Sequence, residues 1–204
     1  MRKLLISMIM LATTVGAAEL TGHYYLRNVR EVGSELVLKP DGTFEYMLAY
    51  GAADYWAKGT WRNDKGTVIL DSGAEEAKPP IRLVRSAAKS IPGVRIVVQG
   101  ANGRPVPNID VALVDASEPA EGKTDSEGAA LLNARKPHAA VFRIRVYQFE
   151  SKPIALNPER NEFYFEIHGE EITQVRFRGE RLEIDGNALV MQHWGRDRPM
   201  RYEK

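Results

Sequence analysis

Apolar and polar residues alternate one for one through most of this chain, in short runs separated by turn-forming residues. Successive side chains on an extended strand point to opposite faces, so this period commits each run to a sheet with one face buried. The clearest case is residues 34–50. Leu36 and Leu38 alternate with Glu35 and Lys39, Pro40-Asp41-Gly42-Thr43 reverses the chain, and Phe44, Tyr46, Leu48 and Tyr50 return on one face. Proline presets the first torsion of such a turn and glycine accepts positive φ, which predicts a hairpin. Helical periodicity is nearly absent, and the expected fold class is all-β.

The 204 residues include no cysteine, which excludes disulfides, thiolate nucleophiles and thiolate metal sites. Stability must come from core burial. The formal net charge is +1, so no overall field draws the chain to nucleic acid or anionic lipid. At the start, Arg2 and Lys3 precede an apolar run, residues 4–15, followed by Gly16, Ala17 and Ala18. This is the three-part secretory pattern. The run falls short of the roughly 20 residues a helix needs to span a bilayer. The expectation is a signal peptide over residues 1–18, no membrane span in the mature form, and a periplasmic or secreted bacterial protein.

Beyond the hairpin, residues 51–54 read as a loop, and residues 55–62 and 67–70 as strands joined at Asn63-Asp64-Lys65-Gly66. Residues 71–80 read as an exposed loop or a brief helical turn, 81–84 as a strand and 86–92 as a linker. Toward the end, Phe163, Phe165 and Ile167 alternate with polar residues, residues 168–171 turn, and further strands fit Val175 and Phe177, Leu182 and Ile184, 188–194 and 200–202. Neither flank is large enough to bury a core comfortably alone. Residues 19–85 and 159–204 are therefore expected to build one barrel-like or meander domain into which residues 93–150 are inserted. Three tandem β units are the alternative.

The insert has a distinctive order of motifs. Val94, Ile96 and Val98 lead to Gly100-Ala101-Asn102-Gly103-Arg104-Pro105-Val106. Ile109, Val111 and Leu113 lead to Thr124-Asp125-Ser126-Glu127-Gly128 and a further strand. Strand, Gly-x-x-Gly-x-Pro-Val, strand, Thr-Asp-x-x-Gly, strand resembles the carboxypeptidase regulatory-like domain, a small transthyretin-like β-sandwich. The resemblance covers residues 94–147 and departs at Ala130, where a large apolar residue is common. It implies a non-catalytic accessory module. Two catalytic relatives of that architecture do not fit. The Tyr-Arg-Gly-Ser ending of hydroxyisourate hydrolases is missing, and Tyr147 and His138 fall short of the two-tyrosine, two-histidine iron set of intradiol dioxygenases.

No Gly-x-Ser-x-Gly string, zincin motif or phosphate-cradling glycine loop occurs. His23, His138, His168 and His193 fall in separate β segments and read as surface or half-buried histidines. Carboxylates such as Glu45, Asp54, Asp71, Glu166 and Asp185 read as the solvent phase of alternating strands, since sequence cannot pair them across a groove. Arg143 with Arg145, and Arg176, Arg178 and Arg181, read as solvated sheet faces interleaved with acids. No catalytic residue, metal site, cofactor or nucleic-acid partner is expected. Aromatic residues crowd between Tyr24 and Trp61, and most sit on strand faces that need burial. At the loop edge, Tyr50, Asp54, Tyr55 and Trp56 form a candidate binding mouth. The expected function is non-catalytic binding or scaffolding in the bacterial envelope, with an envelope protein, glycan or small molecule as partner. The alternative is an envelope hydrolase of glycans or peptides using a carboxylate or histidine pair assembled by the fold.

Overall fold

The computed structural model describes residues 17–74, 77–114, 116, 119–192 and 199–204. The expected signal peptide lies outside the described residues except for Ala17 and Ala18, which open a short helix, α1 (Ala17–Leu20). His193 and Trp194 lie outside them too. In chain order come β1 (Gly22–Arg27), β2 (Val32–Leu38), β3 (Thr43–Tyr50), β4 (Ala53–Asp64), β5 (Thr67–Asp71), β6 (Ile81–Ala87), β7 (Val94–Gly100), β8 (Asp110–Val114) and β9 (Ala120–Lys123). Then follow β10 (Ala129–Leu132), β11 (Ala139–Ile144), a 3₁₀ turn (Arg145–Tyr147), β12 (Phe149–Glu150), β13 (Ile154–Ala155), β14 (Glu162–Ile167), α2 (Gly169–Thr173), β15 (Arg178–Asp185), β16 (Ala188–Met191) and β17 (Met200–Glu203). The protein is all-β, with two short helices where sequence periodicity showed almost none.

The strands β1, β17, β16, β15, β5, β4, β3 and β2 hydrogen-bond in that order around a closed barrel. β1 pairs antiparallel with both β2 and β17, and β5 with β15, so strands from both flanks share one sheet without an open edge. The alternating residues meet inside. Tyr24, Leu36, Leu38, Phe44, Tyr46, Leu70, Leu182, Leu189 and Tyr202 are each no more than 2% exposed. Phe177, just ahead of β15, sets its ring 5.2 Å from Tyr46, edge-on, and 5.8 Å from Phe44. Side chains thus fill the interior, as expected for an eight-stranded barrel of this kind.

Local chemistry explains the hairpins. Asp41 Oδ1 accepts hydrogen bonds from Thr43 N at 2.9 Å and Thr43 Oγ1 at 2.6 Å, and Gly42 takes a φ of 80°. Trp61 secures the same turn, its Nε1 donating to Lys39 O at 2.9 Å and its backbone N to Gly42 O at 2.7 Å. Between β4 and β5, Lys65 and Gly66 both have positive φ, the two-residue arrangement that matches strand twist. Gly59 allows a close approach, since a Cβ there would lie 2.1 Å from Asp71 O.

The remaining strands form two sheets, one ordered β10-β7-β14-β6 and one ordered β12-β11-β8-β9 with β13 also paired to β11. Ile96, Val98, Val111, Leu113, Phe142, Phe163 and Phe165 belong to one buried cluster in this sandwich-like unit. Phe142 and Phe165 meet edge-on at 4.5 Å. Ala130, the small residue in the resemblance, is 4% exposed and pairs with Ile96 across β7.

Residues 81–84 and 163–167 are not barrel strands, contrary to the expectation for the flanks. β14 runs parallel to β7 and antiparallel to β6, so both strands join the sandwich-like unit. Alternation specifies a buried face but not which core receives it, and here Phe163 and Phe165 find Phe142's cluster. The chain accordingly divides into two compact units. One takes the residues through Gly51, Trp56–Ala74 and Val175–Lys204, and the other takes Ala52–Tyr55 and Glu75–Gln174.

Candidate functional site

The candidate site is built by the motifs of the second unit. In Thr-Asp-x-x-Gly, Asp125 Oδ1 accepts from Glu127 N and Ala129 N, both at 2.9 Å. Gly128 has φ of 70°, and a Cβ there would lie 2.4 Å from Val98 O. Thr124 is buried, and its hydroxyl donates to Val106 O and accepts from Ile109 N, both at 2.9 Å. One threonine therefore pins the far side of the Gly-x-x-Gly-x-Pro-Val loop. That loop, the 3₁₀ turn after β11 and α2 line a cleft of about 950 Å³.

The cleft combines apolar walls with an ionic rim. Val106, Ile144 and Ile172 pack on the unit's core beneath it, and Val146 is 45% exposed at its edge. On the rim, Asp110 accepts from Arg145 Nε at 2.5 Å and pairs with Lys123 Nζ at 3.3 Å. The hydrogen bond from Arg145, aided by Lys123, holds the Asp110 carboxyl below the usual carboxylate range. At the other side, His168 Nε2 lies 3.0 Å from Glu166 Oε1, which Arg82 also contacts at 2.8 Å. Tyr147, another lining residue, receives Tyr55 edge-on at 5.9 Å.

The four residues proposed from sequence are divided between the two units, Tyr50 and Trp56 in the barrel unit and Asp54 and Tyr55 in the sandwich-like unit. Tyr50 is 45% exposed at the end of β3. Asp54 is exposed, and like Tyr55 and Trp56 it lies within β4, not in a loop; the turn is confined to Gly51 and Ala52. Tyr55 falls in the sandwich-like unit, while Trp56 falls in the barrel unit. There Trp56 has Lys58 Nζ at 5.8 Å from its ring and lines an outer groove of about 340 Å³ with Val37, Met47 and Glu45. Adjacent strand residues point to opposite faces, so Tyr55 and Trp56 project from opposite sides of β4.

Other residues behave as their local partners dictate. Glu45 pairs with Lys39, Asp185 with Arg201, and Asp71 accepts from Gly73 N. His23 meets Glu35 at 2.6 Å. Among the described residues, no group of three or more His, Cys, Asp or Glu is placed to hold a metal ion. No described helix is long and apolar enough to cross a membrane. The rim residues Arg104, Asp110 and Lys123 escape sequence reading because three separate segments deliver the rim. Only the alternation of Arg143 and Arg145 hinted at a charged strip.

Comparison with protein-family models, with curated proteins and with solved structures finds no match to this chain. Fold and cleft together define its class: an all-β protein of two units, one a filled eight-stranded barrel and the other sandwich-like with an amphipathic cleft.

Proposed function

We propose that the protein is an exported, non-catalytic binding protein whose ligand occupies the cleft of the sandwich-like unit. The carrying observation is the open cleft of about 950 Å³ with apolar walls. That size lies at the upper end for small-molecule sites. Asp110 on the cleft rim is engaged by Arg145 and Lys123, and nearby Glu166 by Arg82 and His168. An acid poised for proton transfer would be raised toward neutrality, whereas Asp110 is held low. The secretory pattern at residues 1–18 supports an envelope location, and the regulatory-like resemblance of residues 94–147 supports an accessory role.

The test is a thermal-shift and calorimetric screen of the secreted form against envelope glycans, peptides and amphiphiles. Val146→Asp should abolish the ligand's stabilisation without lowering the melting temperature of the free protein, because Val146 is 45% exposed. Binding that survives this change would place the ligand elsewhere. A hydrolase is the second reading, favoured by the 3.0 Å contact of His168 with Glu166 at the cleft. Release of product from glycan or peptide substrates, lost in His168→Gln, would establish it.

A further inference from the structure

We infer that the cleft selects an amphiphile carrying a single carboxylate, an inference that rests on reading the cleft as a binding site. The body of such a ligand suits the walls formed by Val106, Ile144, Val146 and Ile172. The headgroup follows from charge bookkeeping on the rim. Three cations line it, Arg104, Lys123 and Arg145, against the carboxylates of Asp110 and Glu170. The third acid near the cleft, Glu166, is matched by Arg82 and His168. The rim therefore has one positive charge in excess, which a monoanion neutralises.

The donors are also placed to receive it. Asp110 uses only the Nε of Arg145, leaving the terminal guanidinium nitrogens on a side chain that is 81% exposed. Arg104 makes no ion pair among the described residues and lines the same cleft. Planar guanidinium edges match a carboxylate with two parallel hydrogen bonds. Asp110, lying between Arg145 and Lys123, holds both cations at the rim while its own charge is offset.

The experiment is calorimetric titration of the full secreted chain with three twelve-carbon probes below their micelle concentrations: dodecanoate, uncharged dodecyl maltoside and dodecyltrimethylammonium. Dodecanoate should bind about tenfold or more tightly than either of the others, as expected for one charge-assisted contact. Arg145→Gln and Arg104→Gln should each reduce that preference and leave the affinity for dodecyl maltoside unchanged. Both side chains are exposed, so neither variant threatens folding. Equal binding of the charged and uncharged probes would overturn the headgroup inference while the cleft reading stood. If no probe bound, the amphiphile inference would fall while the cleft reading stood on its glycan and peptide screen; if binding persisted in Val146→Asp, the cleft reading itself would fall.

Discussion

Thr124 shows how one side chain can carry both fold and site. Its hydroxyl satisfies Val106 O and Ile109 N, two backbone groups flanking the cleft loop, at 2.9 Å each. Thr124→Val keeps the shape and removes both bonds. Leaving buried backbone groups unpaired should cost about 1–3 kcal/mol in urea unfolding and weaken cleft binding. An unchanged midpoint would show that water replaces the hydroxyl. In the barrel, Tyr46 and Tyr202 are buried against one another, and burial raises both phenols above their ordinary value. A raised folded pKa means that this stability is complete below pH 10 and declines above it, as unfolded tyrosines ionise first. Denaturation followed against pH should show a loss beginning near the ordinary tyrosine value, at about 1.4 kcal/mol per pH unit for each phenol. Tyr46→Phe should remove its share and leave that of Tyr202. These residues were partly legible in sequence: the aromatic crowding signalled a core, but the Ser34 contact to Tyr202 at 3.0 Å joins residues far apart in the chain.

Turns decide where elements begin and how closely they approach. Gly128 combines a φ of 70° with a Cβ position 2.4 Å from Val98 O, so Gly128→Ala is opposed by both torsion and contact. The cost should be about 1–3 kcal/mol, seen as a lower melting temperature by circular dichroism. Gly66→Ala meets nothing within 4 Å and should cost less, because torsion alone opposes it. If the two variants melted together, the close contact would be irrelevant. The hairpin at residues 40–43 was readable because its chemistry is contiguous in sequence. The start of β4 was not: Gly51 to Asp54 has loop composition, yet Ala53 is buried and the strand begins there. Tyr55 and Trp56 looked adjacent in function because they are adjacent in sequence, and strand geometry sends them apart.

The largest units follow from which strands close on one another. Because β5 pairs with β15, the chain leaves and re-enters the barrel at neighbouring strands, and Ser72 N donates to Phe177 O at 2.9 Å. Replacing residues 75–174 by a short Gly/Ser linker should therefore leave a barrel that melts cooperatively with a β-type circular dichroism spectrum. A broad, non-cooperative transition would mean that the barrel needs the inserted strands. Strand type, hairpins, the filled aromatic core and the union of the two flanks could all be drawn from the sequence, because a period of two and turn chemistry act over neighbouring residues. The assignment of β6 and β14 to the sandwich-like unit, the parallel pairing of β14 with β7, and the gathering of Arg104, Asp110, Lys123 and Arg145 around one cleft emerged only on folding. Alternation states that a face must be dry, whereas partner choice depends on shape and charge meeting across large separations in the chain.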